Sequence, residues 1–228
     1  MSASTTNERI ETAGVILAGG LSRRMFAAGT PDALPGAAHD KTLLRLGTVT
    51  MLDRVIARFR PQVSALALNA NGDPARFAPF GLPVIADTVA GFVGPLAGVL
   101  AGMRWSRAVA PGVTHIVSVS SDAPFLPSDL VARLVDAALA HPEAIAMAQS
   151  GGELHPVIGC WPVALADDLD AALARGVRKV LAWTDLHGTI PVPFAFATVG
   201  GIRVDPFFNA NTPEELAEAR RLIAEEAS

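Results

Sequence analysis

The stretch Val15-Ile16-Leu17-Ala18-Gly19-Gly20-Leu21-Ser22-Arg23-Arg24-Met25 decides how the rest of the sequence is read. An apolar, β-branched run ends abruptly at two glycines, then a hydroxyl and two arginines follow. That order describes a buried strand delivering a flexible turn to the edge of a sheet. Without a Cβ, glycine lets backbone N–H groups come close to a ligand. Successive N–H groups in such a turn form a concave anion site. Ser22, Arg23 and Arg24 add donors, and guanidinium forks match phosphate oxygens. The turn therefore reads as a polyphosphate cradle.

Two familiar phosphate loops are excluded by the same residues. The Walker pattern fails because Gly20 sits where its lysine belongs, although Gly14 and Gly19 have the right spacing. The dinucleotide fingerprint fails because, counting from Gly19, Leu21 and Arg24 stand where its later glycines belong.

The 228 residues fit one α/β domain, expected over 12–228 behind a polar stretch, 1–11, that is expected to fray. The formal charge of −4 argues against a nucleic-acid partner, which would call for a basic face. No apolar run reaches the roughly 20 residues that span a bilayer, so no membrane partner is expected. Residues 1–14 lack the apolar centre of a signal peptide. The lone Cys160 cannot form an internal disulfide, which suits a reducing compartment and points to the cytoplasm.

Working outward from the glycine turn, the first strand is expected over Thr12–Leu17. The segment Ala27–His39 is rich in small residues, glycine and proline and reads as a mobile loop over the site, closed by Asp40-Lys41. Met51, Leu52, Val55, Ile56 and Phe59 predict a helix over Thr50–Arg60 that Pro61 stops. Strands are expected over Val63–Leu68, Val84–Ala86, His115–Val119 and Ala144–Ala148. A strand antiparallel to its neighbour is expected over His155–Trp161, and an extended segment over Thr189–Val192. Helices are expected from Pro95 to Arg107, over Ser128–Ala140 with Leu130, Leu134, Val135 and Leu139 as its apolar positions, over Ala164–Ala174 and over Val177–Trp183. Thr212, Pro213 and Glu215 form a capping box that opens a last helix to Glu226. Alternating strands and helices imply a mostly parallel central sheet with helices on both faces and one antiparallel strand.

Ligands of such sheets sit beyond the carboxyl ends of the strands, and the polar residues obey that rule. Asp122 closes a buried run and is placed to hold Mg²⁺, which takes few protein ligands and keeps waters and substrate phosphates; a turn aspartate is the alternative. Lys41 can reach phosphates as a point charge. Asp87 can accept from the N1–H and N2–H₂ edge of guanine, and Asn69 offers both a donor and an acceptor. Gly94 and Gly98 can let a base or ribose lie against backbone, or serve close helix packing. His155, Asn209 and Asn211 are further candidates. The five histidines lack metal-ligand spacing, and no Ser-His-Asp or Cys-His arrangement stands out.

The set Leu17-Ala18-Gly19-Gly20-x-Ser22-x-Arg24-Met25, Asp40-Lys41, Asn69-Ala70-Asn71, Asp87, Gly94-Pro95-Leu96-Ala97-Gly98, Asp122-x-Pro124-Phe125-Leu126-Pro127, His155-Pro156 and Phe208-Asn209-x-Asn211-Thr212-Pro213-Glu214 resembles the molybdenum cofactor guanylyltransferases. The resemblance runs from about Ala13 to Leu222. It implies a single-domain, Rossmann-like nucleotidyltransferase fold. It also implies a reaction in which GTP and Mo-molybdopterin, with Mg²⁺, give molybdopterin guanine dinucleotide and pyrophosphate. By that resemblance Leu17, Ala18, Gly19, Gly20, Ser22, Lys41, Asn69, Asp87, Gly94 and Asp122 contact the nucleotide. Lys41, Asp122 and Arg24 carry the chemistry, Asp122 binds the metal, and His155, Asn209 and Asn211 face the acceptor. A molybdoenzyme chaperone that receives the product is a partner no single residue announces. Two other readings stay open: a cytidylyl- or uridylyltransferase on a related cofactor or sugar phosphate, and a non-catalytic nucleotide-binding protein. Residues alone do not choose GTP over CTP.

Overall fold

The computed structural model describes residues 11–20, 23–26, 40–89 and 94–226. The expected loop 27–39, Ser22 and residues 1–10 of the stretch expected to fray lie outside the described residues, as do the side chains of Arg23 and Arg24.

The opening strand, β1 (Ala13–Leu17), lies in the middle of a seven-stranded sheet. A four-residue helix, α1 (Arg23–Phe26), follows the glycine turn. After Lys41 come a short hairpin, β2 (Arg45–Leu46) and β3 (Val49–Thr50), and the helix α2 (Met51–Phe59). The next strands are β4 (Ala65–Asn69) and β5 (Val84–Ile85). Helix α3 (Pro95–Val109) leads to β6 (His115–Ser120), and α4 (Leu130–Ala140) to β7 (Ile145–Ser150). Strand β8 (Glu153–Pro162) is followed by α5 (Ala166–Ala174), α6 (Val180–Thr184) and β9 (Thr189–Phe194). A second hairpin, β10 (Ala197–Val199) and β11 (Ile202–Val204), precedes α7 (Pro213–Glu226).

The strand order is β5-β4-β1-β6-β8-β7-β9. Only β8 runs against its neighbours, pairing antiparallel with both β6 and β7, while the other pairs of the sheet are parallel. The expected single antiparallel strand is thus present; the two small hairpins, both antiparallel, are additions that the sequence reading did not foresee.

Period-two alternation along β1 puts Ile16 on one face and Val15 and Leu17 on the other. The first face packs on α2 and α4 through Leu52, Val55, Phe59, Leu130 and Leu134. The second packs on α3, α5 and α6 through Leu100, Met103, Leu169 and Trp183. Trp161 of β8 and Trp183 of α6 stack inside it, with centroids 6.3 Å apart. Helix α3 lies close to the sheet because Gly102 has no side chain; a Cβ there would come within 2.5 Å of Val15. Helix α7 caps a third cluster, in which Leu216 and Ala219 meet Met25, Leu44 and Met51.

Most boundaries fall within two residues of expectation. The helix expected from Ser128 begins at Leu130, and its apolar stripe differs. Leu139 is exposed, and Val131 and Ala138 take the inner positions instead. The segment expected to be helical from Ala164 opens with a 3-10 turn, Val163–Leu165, before α5. The helix expected from Val177 starts only at Val180.

Candidate active site

Register brings the polar residues into one row. Leu17 pairs with Asn69 of β4 on one side and with Ser120 of β6 on the other. Beyond the strand ends, the Ala18 N–H donates to the Asn69 carbonyl at 2.8 Å, and the Ser121 N–H to the Leu17 carbonyl at 3.1 Å. The glycine turn, Asn69 and Asp122 therefore share the carboxyl edge of three adjacent strands.

At the centre of this edge, the buried Lys41 ammonium donates to Asp122 Oδ2 and, at 2.6 Å, to Asn211 Oδ1. Lys41 is presented by a short 3-10 turn, Lys41–Leu43, that Asp40 caps. Ser120 donates its hydroxyl to Asp122 Oδ1. With its amide nitrogen turned toward them, Asn209 donates to Asp122 Oδ1 and to the Phe207 carbonyl, each at 3.3 Å. The Ala210 N–H donates to the Asp122 carbonyl at 3.1 Å. The capping box forms: Glu215 Oε2 accepts from the Asn211 and Thr212 N–H groups, and Thr212 Oγ1 accepts from Glu215 N–H at 3.2 Å. That frees the Asn211 side chain for Lys41. The oxygens of Asp122 and Asn211 already converge on a cation, the ammonium, and are all hard donors. That donor set fits a magnesium-like ion, and among the described residues no group of three His, Cys, Asp or Glu offers a denser one.

A second cluster lies at the β4–β5 side. Asn69 donates through Nδ2 to the Ile85 carbonyl at 3.1 Å and to Asp87 Oδ1 at 2.9 Å. Asn71 donates to Asp87 Oδ2 at 2.7 Å and accepts from the Asp87 N–H at 2.9 Å. The sequence gives Asn69 and Asp87 a shared part as base readers; in the structure the two are joined, both amide hydrogens of Asn69 meeting acceptors at Ile85 and Asp87, and Asp87 is half-exposed. Gly98 makes room for the Asn69 side chain, since a Cβ there would stand 2.3 Å from Asn69 Oδ1. Gly94 is the exposed N-cap of α3, at φ 88°, a conformation that L side chains rarely adopt.

The third group is His155, at the same sheet edge. Its Nε2 lies 2.7 Å from Ser150 Oγ, which is 2.8 Å from both oxygens of Asp205. Its ring packs on Phe207 at 4.7 Å between centroids. Burial lowers the His155 pKa, while the charges of Asp205 and Glu153 raise it, the net direction being down. Phe207, through its carbonyl on Asn209, links this group to the centre. Ser120, Ser150 and Asp205 are contributors with no part in the sequence expectations, and Asn71 enters those expectations only as part of the Asn69-Ala70-Asn71 motif, without a role. Asn71 carried a signal, its two-residue spacing from Asn69; the others depend on tertiary contacts.

The sequence profile of the MobA-like NTP transferase domain matches residues 14–189. A protein of Mesorhizobium japonicum named molybdenum cofactor guanylyltransferase is 47% identical over 216 residues, covering 94% of this chain and 97% of its own length. One of the same name from a Bradyrhizobium species is 47% identical over 227 residues, 99% of this chain and 98% of its own. Among solved structures, molybdopterin-guanine dinucleotide biosynthesis protein A from Archaeoglobus fulgidus superposes with a TM-score of 0.68 at 20% identity, over 94% of this chain and 100% of that one.

Proposed function

The chain belongs to the MobA-like NTP transferases and, within them, to the molybdenum cofactor guanylyltransferase family, and on that premise we propose how it moves GMP from GTP onto Mo-molybdopterin. It is a nucleotidyltransferase. Enzymes of this family generally use a divalent metal, and the ion we propose is Mg²⁺. Asp122 would hold it, with the amide oxygen of Asn211 beside it; when bound, such an ion neutralises charge on the transferring phosphate. The observation that carries this reading is the convergence of Lys41, Asp122 and Asn211 on one point of the sheet edge, beside the glycine turn.

The terminal phosphate of molybdopterin attacks the α-phosphorus of GTP. A P–O bond forms to the acceptor, the α–β phosphoanhydride breaks, and pyrophosphate leaves with the bonding pair. The attacking oxygen is already anionic, so no protein base or nucleophile is needed. The chain's residues bind and align. The turn Leu17-Ala18-Gly19-Gly20 holds the phosphates against its backbone at the two glycines, with Ser22 and Arg24 as further donors. Lys41 exchanges its contact with Asp122 for phosphate oxygens. Asp87, braced by Asn69 and Asn71, accepts from guanine N1–H and N2–H₂, and Gly94 leaves room for the nucleoside. His155, Asn209 and Asn211 line the acceptor side. The same reading places the reaction in the cytoplasm, with the product passed to a molybdoenzyme chaperone. No described helix is long and apolar enough to cross a membrane.

The test is pyrophosphate release with Mg²⁺ and molybdate-loaded molybdopterin, comparing GTP with CTP. Release with GTP alone is expected. Release with CTP alone would overturn the reading of Asp87, and release with neither would overturn the acceptor.

A further inference from the structure

Arg76 joins the two clusters of the site, and nothing about its sequence neighbourhood foretold it. It lies half-buried in the 3-10 segment Pro74–Phe80. Its Nε donates to Asp40 Oδ2 at 3.2 Å, its Nη2 to the Asn71 carbonyl at 2.8 Å and its Nη1 to the Asp73 carbonyl at 2.6 Å. Its guanidinium lies over the Phe77 ring, 4.3 Å from the centroid. Each of its three nitrogens has an acceptor inside the protein, which fixes the guanidinium in place.

The two segments it ties have different tasks. Asp40 directly precedes Lys41 and caps its turn, Oδ1 accepting from Thr42 N at 3.1 Å and from Thr42 Oγ1 at 2.7 Å. Asn71 exchanges two hydrogen bonds with Asp87. Asp87, Asn71, Arg76 and Asp40 therefore form one run of polar contacts that ends at Thr42, the residue after Lys41 in the turn that presents it. Charge-assisted bonds in such a run strengthen one another. A planar fork reaches three acceptors in three directions, which an ammonium on a flexible stem does not.

We propose that Arg76 is a positioning residue that couples guanine recognition at Asp87 to the placement of Lys41 at the phosphates. The proposal rests on the reading of Asp87 as the guanine acceptor and Lys41 as the phosphate contact. Arg76 touches no substrate. Its loss lets Asn71 and Asp40 move independently, so base selectivity and turnover fall together.

Calorimetric binding of GTP and ITP, and steady-state pyrophosphate release, are measured on the whole protein and on R76Q, R76K and D40N. ITP keeps N1–H but lacks the N2 amine, so the GTP-to-ITP affinity ratio reads the alignment of Asp87 without turnover. In R76Q that ratio is expected to shrink and kcat at saturating GTP to fall, each by about ten-fold, with R76K between it and the native protein. D40N retains the Thr42 cap oxygen while losing the charge that faces Arg76. It should lower kcat similarly, and D40N combined with R76Q should lose little more than the worse single variant. A lowered Tm with a native GTP-to-ITP ratio and native kcat in R76Q would reduce Arg76 to a structural part and overturn the proposal. Full additivity of D40N and R76Q would overturn the coupling. A native protein that binds ITP as well as GTP would overturn the Asp87 reading itself, an outcome visible before any variant is made.

Discussion

Lys41 and Asp122, 81 positions apart, form a buried ion pair at the carboxyl edge of the sheet. Asp122→Ala is therefore expected to cut turnover by about 10³-fold, in the range seen when a preorganised charge at a reacting phosphate or oxyanion is removed. GTP should still bind, more weakly, because the glycine turn and Asp87 are untouched. Pyrophosphate release and calorimetric GTP binding on the same preparation separate the two effects. Native turnover would sink the metal assignment.

The same pair makes a prediction about folding that is independent of catalysis. Breaking a buried pair by removing one partner costs about 3–5 kcal/mol, whereas replacing both by apolar groups of similar volume is often neutral. Urea unfolding should place Lys41→Met and Asp122→Leu each well below the native protein, and the double variant above either single one. Equal or additive losses would mean that the pair is solvated in the free protein.

Two glycines of α3 offer a matched comparison. In Gly98→Ala the new Cβ meets Asn69 Oδ1 at 2.3 Å, and in Gly102→Ala it meets Val15 Cγ2 at 2.5 Å. Overpacking of this kind costs about 1–3 kcal/mol at either position. Only Gly98→Ala displaces the brace of Asp87, so only that variant should lose GTP affinity beyond its loss of stability. Calorimetry on both, at a temperature where both are folded, decides it.

Stability should climb as pH rises toward the ordinary histidine range. His115 is buried at the start of β6, its Nε2 without a hydrogen-bond partner among the described residues, and burial lowers its pKa from 6.5. The unfolded chain then binds more protons between the lowered value and 6.5, so the free energy of unfolding grows with pH through that window and is reduced below it. His155 adds in the same direction, offset by Asp205 and Glu153. Urea midpoints at about pH 5 and about pH 7.5 should differ less in His115→Phe than in the native protein, while retaining the part due to His155.

Much of this architecture could be read from residues because the signals were local. The run Val15–Leu17 into two glycines, the apolar run at His115–Val119 and the capping box at Thr212 each settle their own stretch of backbone. Leu139 shows the limit: helical spacing marks a stripe, but which edge of the stripe the sheet covers is fixed by how α4 crosses it, and Val131 and Ala138 won. The β10–β11 hairpin carries a local signal as well. Gly200 and Gly201, at φ 52° and 79°, between β-branched residues, are the pattern of a tight two-residue turn. Arg76 was not legible, since its partner Asp40 lies 36 positions away and only the packed chain brings them together. Asn69 is legible in its position at a strand end but not in its contacts, because the partners of its amide hydrogens are set by neighbours such as Ile85 and Asp87.

The backbone bond from Ala210 to the carbonyl of Asp122, and the seat of Lys41 on Asn211, have a consequence for the order in which the protein is made. Lys41 and Asp122 leave the ribosome well before Ala210 and Asn211, the groups just ahead of α7 that meet them. A nascent chain that has reached only β11 contains all seven strands of the main sheet and still lacks the Asn211 oxygen that faces Lys41. The strands that carry Asn69 and Asp122 can therefore come together before the two contacts that complete the centre are available.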